Sequence, residues 1–298
     1  MEGIESPMME LTVVPAHSGH VTSVLFSLDG QILISAGMDK LVKLWGAASW
    51  ELLRTLEGHQ NSVNTLSMSP DGQLLASGST DTTVRLWSFP NGELLNTLSG
   101  HKKTVASVRV SPQGSILASA SYDSSIRLWS LPTGEELAVL KGHSKNVTAL
   151  AFSPDGATLA SSGLGNDILL WSLPQGELKS TLRGHEVAVG SLDFSPDGRY
   201  LASVGYEKVA TLWSTKDWRP VKNLSLPATP GFLAFSPDGR TLATGMDHRV
   251  LLWSVEEGGI LHDLPVEVKG VYQLSFSPEG RWLALAAADG KVRIWTVR

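Results

Sequence analysis

The chain of 298 residues contains no cysteine. Without thiols it cannot form a disulfide framework, a cysteine-ligated zinc site or a thiol nucleophile. It is also poor in charge, because charged residues make up 18% of the sequence and the net charge is −5. A protein that binds nucleic acid normally presents clustered positive charge, so this balance argues against a nucleic-acid partner.

Long apolar runs are also absent. The longest, residues 283–288, is far shorter than the roughly 20 residues that a membrane-spanning helix needs. Residues 1–8 have neither a basic start nor an apolar core, so the sequence shows no secretion signal. These absences predict a soluble cytoplasmic protein with no membrane partner, in which residues 1–8 form a flexible tail.

What the sequence does contain is one unit repeated along almost its whole length. The second copy includes residues 58–87, GHQNSVNTLSMSPDGQLLASGSTDTTVRLW. Its closing tryptophan recurs at Trp45, Trp87, Trp129, Trp171, Trp213, Trp253 and Trp295. By subtraction the steps are 42 residues, except for 40 between Trp213 and Trp253. A fixed period in this range indicates a repeat architecture.

The unit is predicted to form short strands separated by turns. Segments such as LLAS and VRLW are apolar without helical spacing, which favours strands. The SPDG segment 69–72, the corner 80–82 and the FPNG segment 89–92 supply three turns, with proline and glycine at positions that fix the backbone. Three turns imply four short antiparallel strands in each unit.

A GH pair near the start of the unit, four strands and a terminal tryptophan resemble the WD-repeat β-propeller family. The resemblance covers residues 9–298 and implies an all-β fold, a single seven-bladed propeller of four-stranded antiparallel blades. The Asp of the family's Trp-Asp dipeptide is missing. Gly46, Thr296 or a serine follows each repeat tryptophan.

The last unit lacks its outer strand, since only three residues follow Trp295. Residues 9–14, MELTVV, match the last strand of a unit instead of the first, because Val14 precedes His17 as Leu56 precedes His59. An unpaired sheet edge exposes backbone donors and acceptors. We therefore predict that the N-terminal strand completes the last blade and closes the ring.

Five units contain histidine, serine and tryptophan at a constant spacing, and most add an acid. Ser, His and Asp together suggest a hydrolytic triad, but a catalytic triad occurs once in a protein, whereas this set recurs. The family resemblance implies a structural relay from Asp to His to Ser to Trp, which satisfies the buried indole N–H. The relay residues are His17, Ser35, Asp39, Trp45, His59, Ser77, Asp81, Trp87, His101, Ser119, Asp123, Trp129, His143, Ser161, Trp171, His185, Ser203 and Trp213.

The relay decays along the chain. Gly165 occupies the acid position of the fourth unit, and Glu207 replaces aspartate in the fifth. The sixth and seventh units have no histidine at the repeat position. The other histidines do not have the spacing of metal ligands, and no glycine-rich phosphate loop is present, so we expect no metal, no cofactor and no catalytic residue.

The resemblance also implies that partners bind the face around the central channel. Two kinds of position reach this face: the residue before the acid, and residues three and five positions after the repeat histidine. Three of the four tyrosines fall there, and tyrosine is favoured at interaction hot spots. The candidate partner-binding residues are Tyr122, Tyr206, Tyr272, Met38, Met246, His20, Asn64, Thr80, Thr104 and Asn146.

These observations predict a non-catalytic scaffold that docks a protein or peptide, as a monomeric ring alone or within a larger complex. Fold alone does not fix function, so two alternatives stay open. One is a regulatory or sensory module of a larger signalling assembly. The other is a hydrolase with its site at the channel mouth, although the candidate face shows no convergent acids and bases.

Overall fold

The computed structural model describes residues 11–297, so the predicted tail of residues 1–8 lies outside the described residues. Within that range the regular structure consists of 28 strands in seven four-stranded sheets, and every pairing is antiparallel. The prediction of an all-β seven-bladed propeller is confirmed. In the range 11–297 no helix is long and apolar enough to cross a bilayer.

The strands are numbered in chain order, beginning with β1 (Leu11–Pro15). Blades 1 to 3 consist of β2 (Val21–Phe26), β3 (Ile32–Gly37), β4 (Val42–Gly46), β5 (Leu52–Leu56), β6 (Val63–Met68), β7 (Leu74–Ser79), β8 (Thr83–Ser88), β9 (Leu94–Ser99), β10 (Val105–Val110), β11 (Ile116–Ser121), β12 (Ser125–Ser130) and β13 (Glu136–Lys141).

Blades 4 to 6 consist of β14 (Val147–Phe152), β15 (Thr158–Gly163), β16 (Ile168–Ser172), β17 (Glu177–Leu182), β18 (Val189–Phe194), β19 (Tyr200–Gly205), β20 (Val209–Ser214), β21 (Pro220–Ser225), β22 (Pro230–Phe235), β23 (Thr241–Met246), β24 (Arg249–Ser254) and β25 (Ile260–Pro265). Blade 7 combines β26 (Val271–Phe276), β27 (Trp282–Ala287) and β28 (Lys291–Thr296) with β1.

The ring is closed by the N-terminal strand, as predicted. β1 pairs antiparallel with β28, with Val13 opposite Arg293 and Val14 opposite Val292. The backbone N–H groups of Ala16 and His17 then donate to the carbonyl oxygen of Gly290 at 3.0 and 2.9 Å. Blade 7 therefore depends on hydrogen bonds between the two ends of the described chain, and the edge of β28 is covered.

The turn after each innermost strand is built from local side-chain chemistry. In blade 2, the Ser69 hydroxyl donates to Asp71 Oδ1 at 2.5 Å, and that carboxylate accepts the N–H of Gln73 at 3.0 Å. Gly72 follows with a φ of 68°, a conformation that glycine adopts without steric cost. The SPDG motif therefore fixes where one strand ends and the next begins.

The apolar core lies between neighbouring blades. One cluster joins Val42 and Leu44 of blade 1 to Leu66, Leu75 and Trp87 of blade 2, and all of these side chains are buried. Seven such clusters occur in the described chain, and each draws residues from two adjacent blades. The second strand of each blade is buried on both faces, whereas the outermost strand keeps one face exposed.

Each innermost strand contains one irregularity. The pairing register shifts around the fifth residue after the repeat histidine, or its equivalent, which leaves that residue bulged. The bulged residues are Thr22, Asn64, Ala106, Thr148, Gly190, Gly231 and Tyr272. A bulge re-aims a side chain, and all seven residues line the central channel.

Candidate functional site

The central channel opens on one face into a cavity of about 860 Å³. Residues from the turns between the second and third strands, and from the beginning of the innermost strands, reach its rim. We call this rim the tyrosine face and define it as Met38, Thr80, Thr104, Tyr122, Tyr206 and Tyr272, all of which line the cavity. With Asn64, which also lines it, the structure brings together seven of the ten candidate partner-binding residues.

The three tyrosines of this face differ in their surroundings. Tyr122 and Tyr206 leave 38% and 47% of their surface exposed. Tyr272 is half-buried and stacks on His20, with ring centroids 5.4 Å apart, while its hydroxyl lies 2.8 Å from His20 Nδ1. The sequence-predicted residues His20 and Tyr272 thus form one rigid pair, whereas Tyr122 and Tyr206 present free aromatic surface.

The remaining polar candidates lie close to the tyrosine face. Asn64 lines the cavity, and its side-chain amide donates to Thr80 Oγ1 and to the carbonyl oxygen of Val105, each at 3.0 Å. Asn146 is half-buried, and its carbonyl oxygen accepts the N–H of Leu164 at 3.0 Å. These two asparagines hold neighbouring segments in place.

The prediction that Met246 faces a partner is wrong. Met246 is 1% exposed and packs in the core between blades 5 and 6. The turn in blade 6 is one residue shorter and contains only Asp247 and His248, so Met246 pairs with Arg249 and belongs to strand β23. It occupies the strand position that Ser79 has in blade 2, one residue before the exposed turn.

Two exposed apolar residues extend the face beyond the candidates predicted from the sequence. Leu164 and Val187 leave 44% and 41% of their surface exposed on blades 4 and 5. Together with Tyr122 and Tyr206 they form what we call the apolar crescent, which spans blades 3 to 5. The repeat alignment places Leu164 in the same turn position as Tyr122, and this equivalence is the signal that identifies it.

The channel wall contains two charged residues that sequence reasoning missed. Arg109 on blade 3 and Asp193 on blade 5 line both the large cavity and a smaller one of about 270 Å³. Asp193 Oδ2 accepts the N–H of Phe235 from blade 6 at 2.9 Å. Burial raises the pKa of Asp193 to about 6, against the lowering effect of that hydrogen bond and of Arg109. Both residues lie eight positions after a repeat histidine. This shared position in the repeat could have identified them as a pair.

The relay hydrogen bonds are present in full in blades 1 to 3. In blade 3 His101 Nδ1 lies 2.9 Å from Asp123 Oδ2, and His101 Nε2 lies 2.8 Å from Ser119 Oγ. Trp129 Nε1–H donates to the same Ser119 oxygen at 2.8 Å. The equivalent distances in blades 1 and 2 are 2.7 to 2.9 Å. Each indole is therefore satisfied inside the blade.

The electrostatics of the relay fit a neutral histidine beside an ionised aspartate. Burial lowers the pKa of His101 even though Asp123 works in the opposite direction. Burial alone would raise the pKa of Asp123, but hydrogen bonds from Ser125, Lys102 and His101 outweigh it and hold that pKa well below its usual range. His101 then donates from Nδ1 to the carboxylate and accepts the Ser119 hydroxyl proton at Nε2.

The relay differs in the later blades: blade 5 has a complete relay with Glu207 in the acid position, whereas blades 4 and 6 have an incomplete one. His143 of blade 4 lies 2.7 Å from Ser161 Oγ but has no acid on Nδ1, and burial lowers its pKa to about 4. In blade 5 Glu207 contacts His185 Nδ1, and Ser203 Oγ is 2.6 Å from Nε2. Blade 6 retains the bond from Trp253 Nε1–H to Thr244 Oγ1, at 2.9 Å.

The repeated Ser-His-Asp sets are poorly placed for nucleophilic catalysis. Ser77 and Ser119 are fully buried, and the oxygen of each already accepts an indole N–H. A nucleophile must reach its substrate, and these hydroxyls face the blade interior. In the described residues no group of three or more His, Asp or Glu side chains is arranged to hold a metal ion.

Comparison with protein families gives a match along most of the chain. A family model described as WD40, the WD domain or G-beta repeat, matches residues 8–46, 50–88, 92–130, 134–172, 176–214, 230–254 and 260–296. Each segment contains the three inner strands of one blade, and all but the sixth also contain the outer strand of the preceding blade. None of the curated proteins compared with the chain matches it.

Proposed function

The chain belongs to the WD40 repeat family, whose propellers generally serve as protein-interaction scaffolds, and from this premise we propose that it is a non-catalytic scaffold. Its docking site for a protein or peptide is the tyrosine face together with the apolar crescent. The observation that carries the proposal is the exposure of four large apolar side chains on three consecutive blades. Exposed contiguous apolar surface beside a channel favours an interaction site.

The chemistry of the crescent favours a peptide segment with an aromatic or aliphatic anchor. Tyr122 and Tyr206 offer large rigid contact area and a polar tip, and such residues dominate binding energy at interfaces. Lys102, Lys103 and Lys145 are exposed on blades 3 and 4 next to this surface. On blades 3 and 4 this positive charge favours acidic residues in the partner, mainly through a faster association rate, whereas exposed Glu186 next to Val187 acts in the opposite sense on blade 5.

The buried relay serines support a non-catalytic role, because the hydrolase alternative needs an accessible nucleophile. A regulatory role within a larger assembly is compatible with the same docking face and remains a prediction, as does a cytoplasmic location. Unlike the hydrolase alternative, the scaffold proposal requires a partner whose affinity depends on the apolar crescent.

The test uses affinity capture from the native lysate, identification of the captured protein, and measurement of its dissociation constant with purified components. Tyr122→Ala combined with Tyr206→Ala should weaken binding by at least about tenfold, since hot-spot truncations remove most binding energy. The matched control is Leu53→Ser with Leu95→Ser, two side chains on outer strands that are 57% and 55% exposed. Equal affinity for the wild type and the tyrosine variant would contradict the proposal.

A further inference from the structure

One position in each repeat, two residues before the tryptophan, is basic in four blades and not in the other three. The residues there are Lys43, Arg85, Arg127, Leu169, Thr211, Leu251 and Arg293. In blades 1, 2, 3 and 7 the base accompanies the repeat aspartate four residues earlier. Blade 4 has lost both groups. Blade 5 has kept a half-buried acid, Glu207, but has Thr211 in place of the base.

In blades 2 and 3 the basic side chain fills a defined space. Arg85 lies with its guanidinium carbon 5.9 Å from the centroid of the Trp87 ring. Its terminal nitrogen lies directly against Gly58, so closely that a Cβ added at Gly58 would collide with it. Arg127 approaches Gly100 in the same way, at 2.7 Å from such a Cβ. In blade 2 the guanidinium therefore lies next to both the Gly58 backbone and the Trp87 ring.

In blade 5 no basic side chain occupies the equivalent place. The three atoms nearest to a Cβ added at Gly184, the equivalent of Gly58, all belong to the Trp213 ring, the closest at 3.0 Å. A cavity of about 280 Å³ lies here, and its walls are Gly184, Glu186, Glu207, Val209, Thr211, Trp213, Pro220 and Asn223. The cavity thus includes the glycine and the tryptophan that enclose a guanidinium in blade 2.

This cavity is acidic, and one of its carboxylates, Glu207, also contacts His185 Nδ1 through Oε1. Glu186 and Glu207 both line it, and no basic residue of the described chain is part of its wall. Glu207 Oε2 is buried and has no hydrogen-bond partner among the described residues. A buried carboxylate oxygen without a partner is costly. Blade 7 shows how the chain satisfies the equivalent acid, since Arg293 donates to both oxygens of Asp289 at 3.1 and 2.8 Å.

We propose that the blade 5 cavity is a binding site for a guanidinium group supplied from outside the chain. The group stacks on Trp213, donates hydrogen bonds to Glu186 and is attracted by the negative charge of Glu207, with the Asn223 side chain within the same wall. A planar cation with several fixed donors fits a carboxylate and an aromatic face better than an ammonium does. The source is either a small guanidinium compound or an arginine side chain of a partner.

The direct test is calorimetric titration of the full chain with methylguanidinium, N-acetyl-arginine amide, N-acetyl-lysine amide and N-acetyl-citrulline amide. The two guanidinium probes should bind, and the neutral citrulline probe should bind at least about tenfold more weakly, because the charge-assisted hydrogen bonds are lost. If methylguanidinium matches the arginine probe, a small compound suffices. If the arginine probe binds more tightly, a peptide is the source. Equal binding of the arginine and citrulline probes, or no binding of either guanidinium, overturns the site.

A variant of blade 5 uses the comparison between the equivalent positions of blades 2 and 5. Thr211→Arg places the blade 2 side chain in the cavity and should abolish guanidinium binding in a protein that still melts cooperatively. Undiminished binding in Thr211→Arg would show that the guanidinium binds elsewhere. If Thr211→Arg does not fold, Glu207→Gln replaces it and should weaken binding at least about tenfold.

Discussion

Blades 3 and 7 have the same four-stranded antiparallel fold but are held together differently. Blade 3 is continuous in sequence and contains the full Asp123–His101–Ser119–Trp129 relay. Blade 7 takes its outer strand from the other end of the chain, has Leu285 where blade 3 has Ser119, and pairs Asp289 with Arg293. The polar relay is therefore not required to form a blade. It adds local stability to a sheet that apolar spacing already specifies.

The largest expected effect on stability comes from disrupting β1, the strand that completes blade 7. Val14 is 4% exposed in β1, and Val14→Asp would bury an unpaired charge. We expect a loss of about 4 kcal/mol or more in the free energy of unfolding, measured by chemical denaturation.

The neighbouring residue provides the control for that variant. Val13 is 43% exposed on the same strand, so Val13→Asp should change the free energy of unfolding by less than about 0.5 kcal/mol. If the two variants were equally stable, β1 would contribute little to the ring.

A smaller effect on the free energy of unfolding should distinguish a blade with a complete relay from one with an incomplete relay. His101→Ala leaves Ser119 and Asp123 without their partner and should cost about 1–3 kcal/mol. His143→Ala should cost less, because His143 contacts only Ser161. Denaturation curves of the two variants measure the difference. A melting curve of His101→Ala that matches the wild type would contradict the role of the relay.

Acid should weaken blade 4 through His143. Its folded pKa is lowered by burial to about 4, below the ordinary value of 6.5, so the folded state favours the neutral ring. The contribution is complete above pH 6.5 and is lost as the pH falls toward 4, by about 1–2 kcal/mol at pH 5.

The control for this pH dependence is His143→Gln, which removes the titrating ring. Its stability should fall less than that of the wild type between pH 7 and pH 5, measured by urea denaturation at each pH. Asp193 titrates in the opposite sense, because its folded pKa is raised to about 6 from 3.8. Its contribution to stability grows as the pH falls through 6, and it is common to both proteins. An identical pH dependence in the two proteins would exclude His143 as the source.

The smallest expected effect on stability comes from restoring the missing acid of the blade 4 relay. A Cβ added at Gly165 meets no atom within 4 Å, so Gly165→Asp has room for the acid that blades 1 to 3 possess. We expect it to raise the pKa of His143 and to stabilise the protein by about 0.5–1 kcal/mol. Histidine titration by NMR measures the pKa. An unchanged value would show that the turn of blade 4 holds residue 165 away from His143.

Much of this architecture follows from sequence spacing. The constant distance between repeat tryptophans predicted seven sheets, and the missing strand after Trp295 predicted closure by β1. The relay spacing of His, Ser, Asp and Trp also placed the side chains that the structure brings together in blades 1 to 3. These features repeat, so agreement among copies identified them.

The details that sequence reasoning missed are those that occur once. Met246 was misplaced because a deletion in one turn can be assigned to either side of it, and only strand pairing decides. Arg109 and Asp193 are the only charged residues among the described residues that line the large cavity, and each occurs in one repeat, so the agreement among copies did not draw attention to them. The cavity beside Glu207 lies where four other blades have a basic side chain. It is recognised only when equivalent blades are compared.

Blade 7, which lacks the relay and takes its outer strand from the N-terminal end of the described chain, should be less stable locally than blade 3. Native-state hydrogen exchange measures this directly, blade by blade, on the unmodified protein. We expect the amides of β27 and β28 to open at a lower free energy than those of β11 and β12. Equal protection in the two blades, or faster exchange in blade 3, would contradict the account.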